Sequence, residues 1–79
     1  MRVTDSKSFG SAIRKRRKEL GYTQRDLSEF SGLSISFLSD LERGKKTIEL
    51  EKALYVISIL GLNLNLEPRI MNEPIREGL

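Results

Sequence analysis

Gly21, Gly32, Gly44 and Gly61 each stand just past a stretch with helical apolar spacing, and no other feature limits the fold of this chain more. Glycine takes the left-handed backbone that closes a helix at no steric cost, so each is a natural stop. Three of the four stretches also carry a start signal. In the first, from about Asp5 to Leu20, Thr4 or Asp5 can cap the N-terminus; Phe9, Ala12, Ile13 and Leu20 share one stripe with Arg17 at its edge. In the second, Thr23 with Asp26 three residues on has the form of a capping box and opens a short helix through about Phe30. Ser31-Gly32-Leu33-Ser34 reads as a tight turn, and Ser34 caps a third helix that runs to about Arg43 with Phe37, Leu38 and Leu41 as its apolar positions. Lys45-Lys46-Thr47 reads as a loop. A fourth helix begins between Thr47 and Glu49, with Leu50, Ala53, Leu54, Ile57 and Leu60 at helical spacing and Glu49 and Glu51 in its first turn, where the helix dipole favours acids.

After Gly61 the period changes. Leu62, Asn63, Leu64, Asn65 and Leu66 alternate strictly, with Pro68 as a stop, which predicts a short strand. Arg69 to Leu79 has no clear period and is expected to be a flexible tail. The expected fold is all-α: four to five helices around a helix-turn-helix, with one C-terminal strand. Residues 1–67 form the folded domain and 68–79 the tail.

A chain of 79 residues buries only a marginal core, and without cysteine no disulfide can staple it. Association with a second copy would supply buried surface. A lone amphipathic strand also leaves its backbone N–H and C=O groups unpaired, and two-fold pairing with its own copy resolves both problems. Leu62, Leu64 and Leu66 are then interface residues, joined by Val56 and Ile59, which with Tyr55 extend the apolar surface of the last helix beyond one stripe. Packing of 62–66 onto its own chain is the alternative. Phe30 is expected in core or dimer packing.

Charge divides the chain. Residues 1–46 hold 11 Lys/Arg against 6 Asp/Glu, and residues 47–79 hold 3 against 5, within a net charge of +3. A basic front half faces a polyanion, and the acidic back half faces something else. With no histidine and no cysteine, zinc fingers, histidine-based triads and thiol nucleophiles are excluded, and no paired carboxylates with a readable pocket suggest an enzyme. No cofactor or metal is expected. Met1 to Gly10 has no apolar core of signal-peptide length, and Leu54 to Leu60 is too short to span a bilayer, so a cytoplasmic protein without membrane contact is expected.

Two short helices joined by a glycine turn have the form of a DNA-reading motif. Gly21 to Lys46 also closely resembles the Cro/C1-type (XRE) helix-turn-helix family. The resemblance rests on Leu20-Gly21, Thr23-Gln24, Leu27, Ser31-Gly32, Ser34, Leu41-Glu42-Arg43-Gly44-Lys45 and Leu60-Gly61. The Leu62-Asn63-Leu64-Asn65-Leu66 ending looks like the HipB-type antitoxins. That resemblance implies a C-terminal strand paired across a dimer, a toxin kinase of HipA type as partner, and repression of the chain's own operon.

Only the major groove admits a helix and displays a full base code, so the helix that Ser34 caps is expected there. Its first turns place Ser34, Ile35, Ser36, Ser39 and Asp40 toward the bases: serine donates or accepts, Ile35 can touch a thymine methyl, and Asp40 can accept from a cytosine amino group, or instead repel phosphates or bond a neighbouring side chain. The usual Gln and Arg readers are scarce, so shape readout is expected to contribute. The resemblance implies a phosphate contact for Gln24, and Arg43, Lys45, Lys46 and Arg14 are further phosphate candidates, with Lys15 and Lys18 behind them. It also implies a structural ion pair between Arg17 and Glu42. A two-fold dimer would read an inverted-repeat operator in duplex DNA, with steep salt dependence. A stand-alone regulator without a toxin, or a protein–protein adaptor, are the alternatives; the basic front half argues against the adaptor.

Overall fold

Asp5 starts the first helix by a reciprocal exchange. Its carboxylate accepts from the Ser8 amide at 2.7 Å, and Ser8 Oγ accepts from the Asp5 amide at 3.1 Å. Two otherwise orphan donors are thereby satisfied. The computed structural model describes residues 2–70. In it α1 spans Ser6–Glu19, α2 Gln24–Ser31, α3 Ile35–Arg43 and α4 Leu50–Ile59. Thr23 and Asp26 form the expected capping box on α2, and Ser34 Oγ accepts from the Phe37 amide at 3.0 Å to cap α3. Gly32 (φ 74°) and Gly44 (φ 84°) close α2 and α3 in the left-handed region that side chains disfavour.

Helix α3 packs against both α1 and α2. The core is Ile13, Leu27, Leu38, Leu41, Ala53, Val56, Ile57 and Leu60, with Phe9, Tyr22, Leu33, Phe37 and Leu62 partly buried against it. Gly10 is buried where α1 crosses α3, and a Cβ there would stand 2.3 Å from the Leu41 carbonyl oxygen. The two backbones meet at that point because no side chain separates them.

Several expectations are corrected. Leu20 is the C-cap residue of α1 and is exposed, because the helix ends before its stripe completes another turn. Leu50 is 65% exposed at the rim of a cleft lined by Val3, Phe9, Ile48 and Ala53. The buried stripe of α4 is therefore Ala53, Val56, Ile57 and Leu60. Val56, expected at a dimer interface, is wholly buried inside its own chain and has no surface to offer a partner. Phe30 lies outside the core, 56% exposed, its ring edge-to-face with Tyr22 at a centroid distance of 5.0 Å.

No strand forms among the described residues. Residues 62–70 leave α4 without helical structure; Leu62 is half-buried, Leu64 exposed and Leu66 90% exposed. Single-strand pairing needs a second backbone, and one chain provides none. Arg69 and Ile70 are exposed, and the rest of the expected tail, 71–79, lies outside the described residues. No helix among the described residues is long and apolar enough to cross a membrane.

Candidate nucleic-acid interface

Helix α3 is buried along one stripe, Leu38, Leu41 and Glu42, and this settles what it presents outward. Ser36, Ser39, Asp40 and Arg43 lie on the outward side, and Ile35 stands at its edge, 42% exposed. Ser34, Ile35 and Ser36 are exposed at its N-terminus, while Ser39 and Asp40 are half-buried one turn on. Four of the five residues expected to face bases thus share the outward side of α3, while Ser34 is the exposed N-cap residue in the row of Leu38 and Leu41. Ser34 Oγ already accepts the Phe37 amide, so its hydroxyl proton is what remains to donate.

Behind this stripe stands a buried polar network. Arg17 on α1 donates from Nε to Glu42 Oε2 at 2.7 Å and from Nη2 to Glu42 Oε1 at 2.9 Å. Its Nη1 donates to the Tyr22 carbonyl at 2.6 Å, tying down the link between α1 and α2. The Glu42 hydrogen bonds hold the Arg17 guanidinium above its ordinary value, against the opposing effect of burial. No buried side-chain polar atom among the described residues is left unsatisfied. Gln24, the first residue of α2, donates from Nε2 to Glu42 Oε1 at 3.2 Å. An amide nitrogen carries two protons, so Gln24 keeps one donor for an outside acceptor while the bond to Glu42 fixes its direction.

The cationic candidates divide into two sets. Asp40 accepts a short hydrogen bond from Arg43 Nη2 and lies 3.5 Å from Lys45 Nζ. Hydrogen bonding to Arg43, and the charge of Lys45, hold the Asp40 carboxyl below its ordinary value, so it is ionised throughout the neutral range. Arg14, Lys15, Lys18 and Lys46 are exposed, and among the described residues no carboxylate pairs with any of them. Of the candidates, these four have no ion pair among the described residues to give up on meeting a polyanion, and Arg2, Lys7, Arg25 and Arg69 share that state.

At the far end of the molecule Arg16 Nε donates to the Leu60 carbonyl at 2.9 Å, satisfying an end group of α4 from α1. A groove of about 270 Å³ follows, lined by Phe9, Ala12, Arg16, Leu62 and Leu64 among others. Sequence reasoning missed the contacts of Arg16 and Gly10, and for the Asp40 triad it offered a bond to a neighbouring side chain without naming Arg43 or Lys45. The triad had one signal, opposite charges at i and i+3 beside a helix-ending glycine; the other two contacts span loops and left none. No group of three or more acidic side chains among the described residues could hold a metal ion.

A family profile described as helix-turn-helix matches residues 13–66. The chain is 32% identical over 65 residues to the "Uncharacterized HTH-type transcriptional regulator y4mF" of Sinorhizobium fredii, across 82% of this chain and 86% of that one. It is 27% identical over 76 residues to the "ImmF control region 10 kDa protein" of Bacillus phage phi105, across 96% of this chain and 84% of that one. Among solved structures, a HipB-O1-O2 complex superposes with a TM-score of 0.78 at 19% identity, covering 86% of this chain and 99% of that chain. A HipA-HipB-O2-O3 complex superposes with the same TM-score and identity, covering 86% and 96%. The capped α2 and α3, the Arg17–Glu42 pair between α1 and α3 and these matches agree: the chain belongs to the Cro/C1-type helix-turn-helix family of transcriptional regulators, with the fold seen in HipB.

Proposed function

We propose that this chain is a dimeric repressor that reads an inverted-repeat operator in double-stranded DNA with α3. The observation that carries this is the outward side of α3, where Ile35, Ser36 and Ser39 lie, with Ser34 exposed at the N-cap, on a helix whose other side is locked into the core. Serine hydroxyls serve donors and acceptors of base edges alike, and Ile35 fits a thymine methyl. Gln24, Arg14 and Lys46, with Arg43 and Lys45 once detached from Asp40, supply phosphate contacts that set register. Mixed-sequence duplex binding should fall steeply between low and physiological salt. Replacing Gln24 with alanine should weaken every duplex about equally, by roughly 10–150-fold for one lost charge-assisted hydrogen bond of about 1.5–3 kcal/mol. Gel shifts in which the variant equals the parent would remove Gln24 from the interface.

Dimerisation runs through residues 62–66 in this reading. Leu64 and Leu66 are exposed, Ile59 and Leu62 are half-covered, and Tyr55 extends the same apolar surface. An exposed apolar segment beside an apolar groove is the ordinary mark of an interface. Truncation after Gly61 should give monomers with operator affinity lowered at least about 100-fold, since each monomer engages one half-site. Light scattering that finds an intact dimer in the truncated chain refutes the assignment.

The partner of the back half is, in this reading, a toxin kinase of HipA type, and the chain is its antitoxin. Support comes from the superposition on HipB within a HipA-HipB complex. A second reading, a regulator without a toxin, is favoured by the two sequence relatives, whose names speak only of regulation and of a control region. Affinity capture of the tagged chain from native cells separates them: a near-stoichiometric kinase supports the antitoxin, and recovery of DNA alone supports the regulator.

A further inference from the structure

Asp40 sits where local physics disfavours it. It lies in the last turn of α3, where the helix dipole repels an anion, and aspartate is among the poorer helix formers. It also stands on a surface read here as facing DNA, where an unpaired acid would meet phosphates of the same sign. Stability does not explain its presence, since ion pairs whose cationic partners are as exposed as Arg43 and Lys45 contribute little. Its surroundings are nevertheless built. Gly44 adopts φ 84°, which turns the chain so that the Lys45 amide donates back to the Asp40 carbonyl at 3.0 Å. The same turn brings Lys45 Nζ within 3.5 Å of the Asp40 carboxylate, while Arg43 reaches it from one turn along the helix.

We propose that Asp40 is a specificity-determining residue that stands in for phosphate: it holds Arg43 and Lys45 until a base in the groove offers its carboxylate a replacement donor. The inference rests on the reading of α3 as the helix that enters the major groove. Non-specific complexes draw almost all their affinity from cations on phosphates. Arg43 and Lys45 can join such a complex only by leaving Asp40 without a partner beside the duplex. On a site that presents a cytosine N4 or adenine N6 amino group below Asp40, the carboxylate exchanges its cations for a base donor, and both cations become available to phosphate or to a guanine. Asp40 therefore weakens binding to every sequence, and weakens it least on the right one. Lys46, which has no such tie among the described residues, is not subject to this control.

The test compares the full chain with Asp40→Asn and Asp40→Ala, each first shown by circular dichroism to fold. The probes are a mixed-sequence 20-base-pair duplex and a duplex selected on the parent chain from a random pool. Each released cation that finds a phosphate adds about 0.9 to the slope of log affinity against log salt, which is about tenfold in affinity at 0.1 M salt. Both variants should bind the mixed duplex about tenfold or more tighter with a slope steeper by about 1 to 2, and should gain less on the selected duplex, so that discrimination falls. In an Arg43→Ala, Lys45→Ala background the gain should vanish. Unchanged affinity and slope overturn the proposal, and so does a gain that survives in that background, which would mean plain charge repulsion. If the parent binds neither duplex even at low salt, the reading of α3 as a DNA-contacting helix fails and takes this proposal with it. Binding by the parent with no effect at Asp40 leaves that reading standing and removes only the proposal.

Discussion

Replacing Glu42 with alanine is expected to destabilise the fold by about 3–5 kcal/mol, the range found when one partner of a buried ion pair is removed. Arg17 and Glu42 are both almost wholly covered, at 7% and 8% exposure, and Arg17 gives two of its donors to the one carboxylate. Without Glu42 the guanidinium keeps only the Tyr22 carbonyl and stays charged, since arginine does not shed its proton in a folded protein. A small domain has only about 5–15 kcal/mol in total, so this variant should be largely unfolded in mild urea. Urea titration followed by circular dichroism measures the loss directly. The double replacement Arg17→Met, Glu42→Leu should recover most of it, because well-packed apolar side chains of similar volume often replace a buried pair without cost. A loss below about 1 kcal/mol for Glu42→Ala would place the pair in the range of solvated surface bridges instead. Duplex binding should drop as well, since Gln24 loses the acceptor that aims it.

Gly10→Ala is the second large effect, and its sign separates local from tertiary physics. Judged as a helix position alone, alanine should stabilise α1 by about 0.5–1 kcal/mol over glycine. The crossing with α3 reverses this. The new Cβ would stand 2.3 Å from the Leu41 oxygen and 2.6 Å from the Glu42 oxygen, both backbone atoms that no rotamer change can move. Overpacking of this kind costs about 1–3 kcal/mol, occasionally more, and a clash with backbone belongs at the upper end. A net loss of about 2 kcal/mol in thermal or urea unfolding is expected, with α3 pushed outward and duplex affinity reduced. A variant more stable than the parent would show that α1 and α3 are not in such close contact at Gly10.

These two sites mark how far the amino-acid sequence could be read. Caps and stops were legible because each is settled within four residues: Thr23 with Asp26, Ser34 with Phe37, and the glycines that take positive φ. The stripe from Ile35 to Asp40 was legible for the same reason, since the start of α3 determines which residues oppose Leu38 and Leu41. Gly10 was not, because a helix-interior glycine looks the same whether it faces water or a neighbouring backbone. Val56 and Leu50 were misplaced because an apolar helix with few polar residues leaves its inward direction open by the angle of one residue, about 100°. Only the packing of α4 on the rest of the core chose Val56 inward and Leu50 outward. The tie of Asp40 to Lys45 depends on the turn at Gly44, and the bond from Gln24 to Glu42 bridges 18 positions, beyond any periodic signal.

Arg16 reaches from α1 to the Leu60 carbonyl just before Gly61, and the Leu62 amide just after it donates to the Ile57 carbonyl at 3.0 Å, so the chain is tied on both sides of the turn that leaves α4. In a dimer joined through residues 62–66, the two copies would otherwise swivel about that glycine. Tied to α1 and α4, of which α1 rests directly on α3, the departing segment holds its bearing relative to the helix proposed to enter DNA. The gap between half-sites that such a pair would straddle would then be a rigid dimension, like the jaws of a calliper, with the arginine and the Leu62 amide as the screws that keep the jaws from drifting.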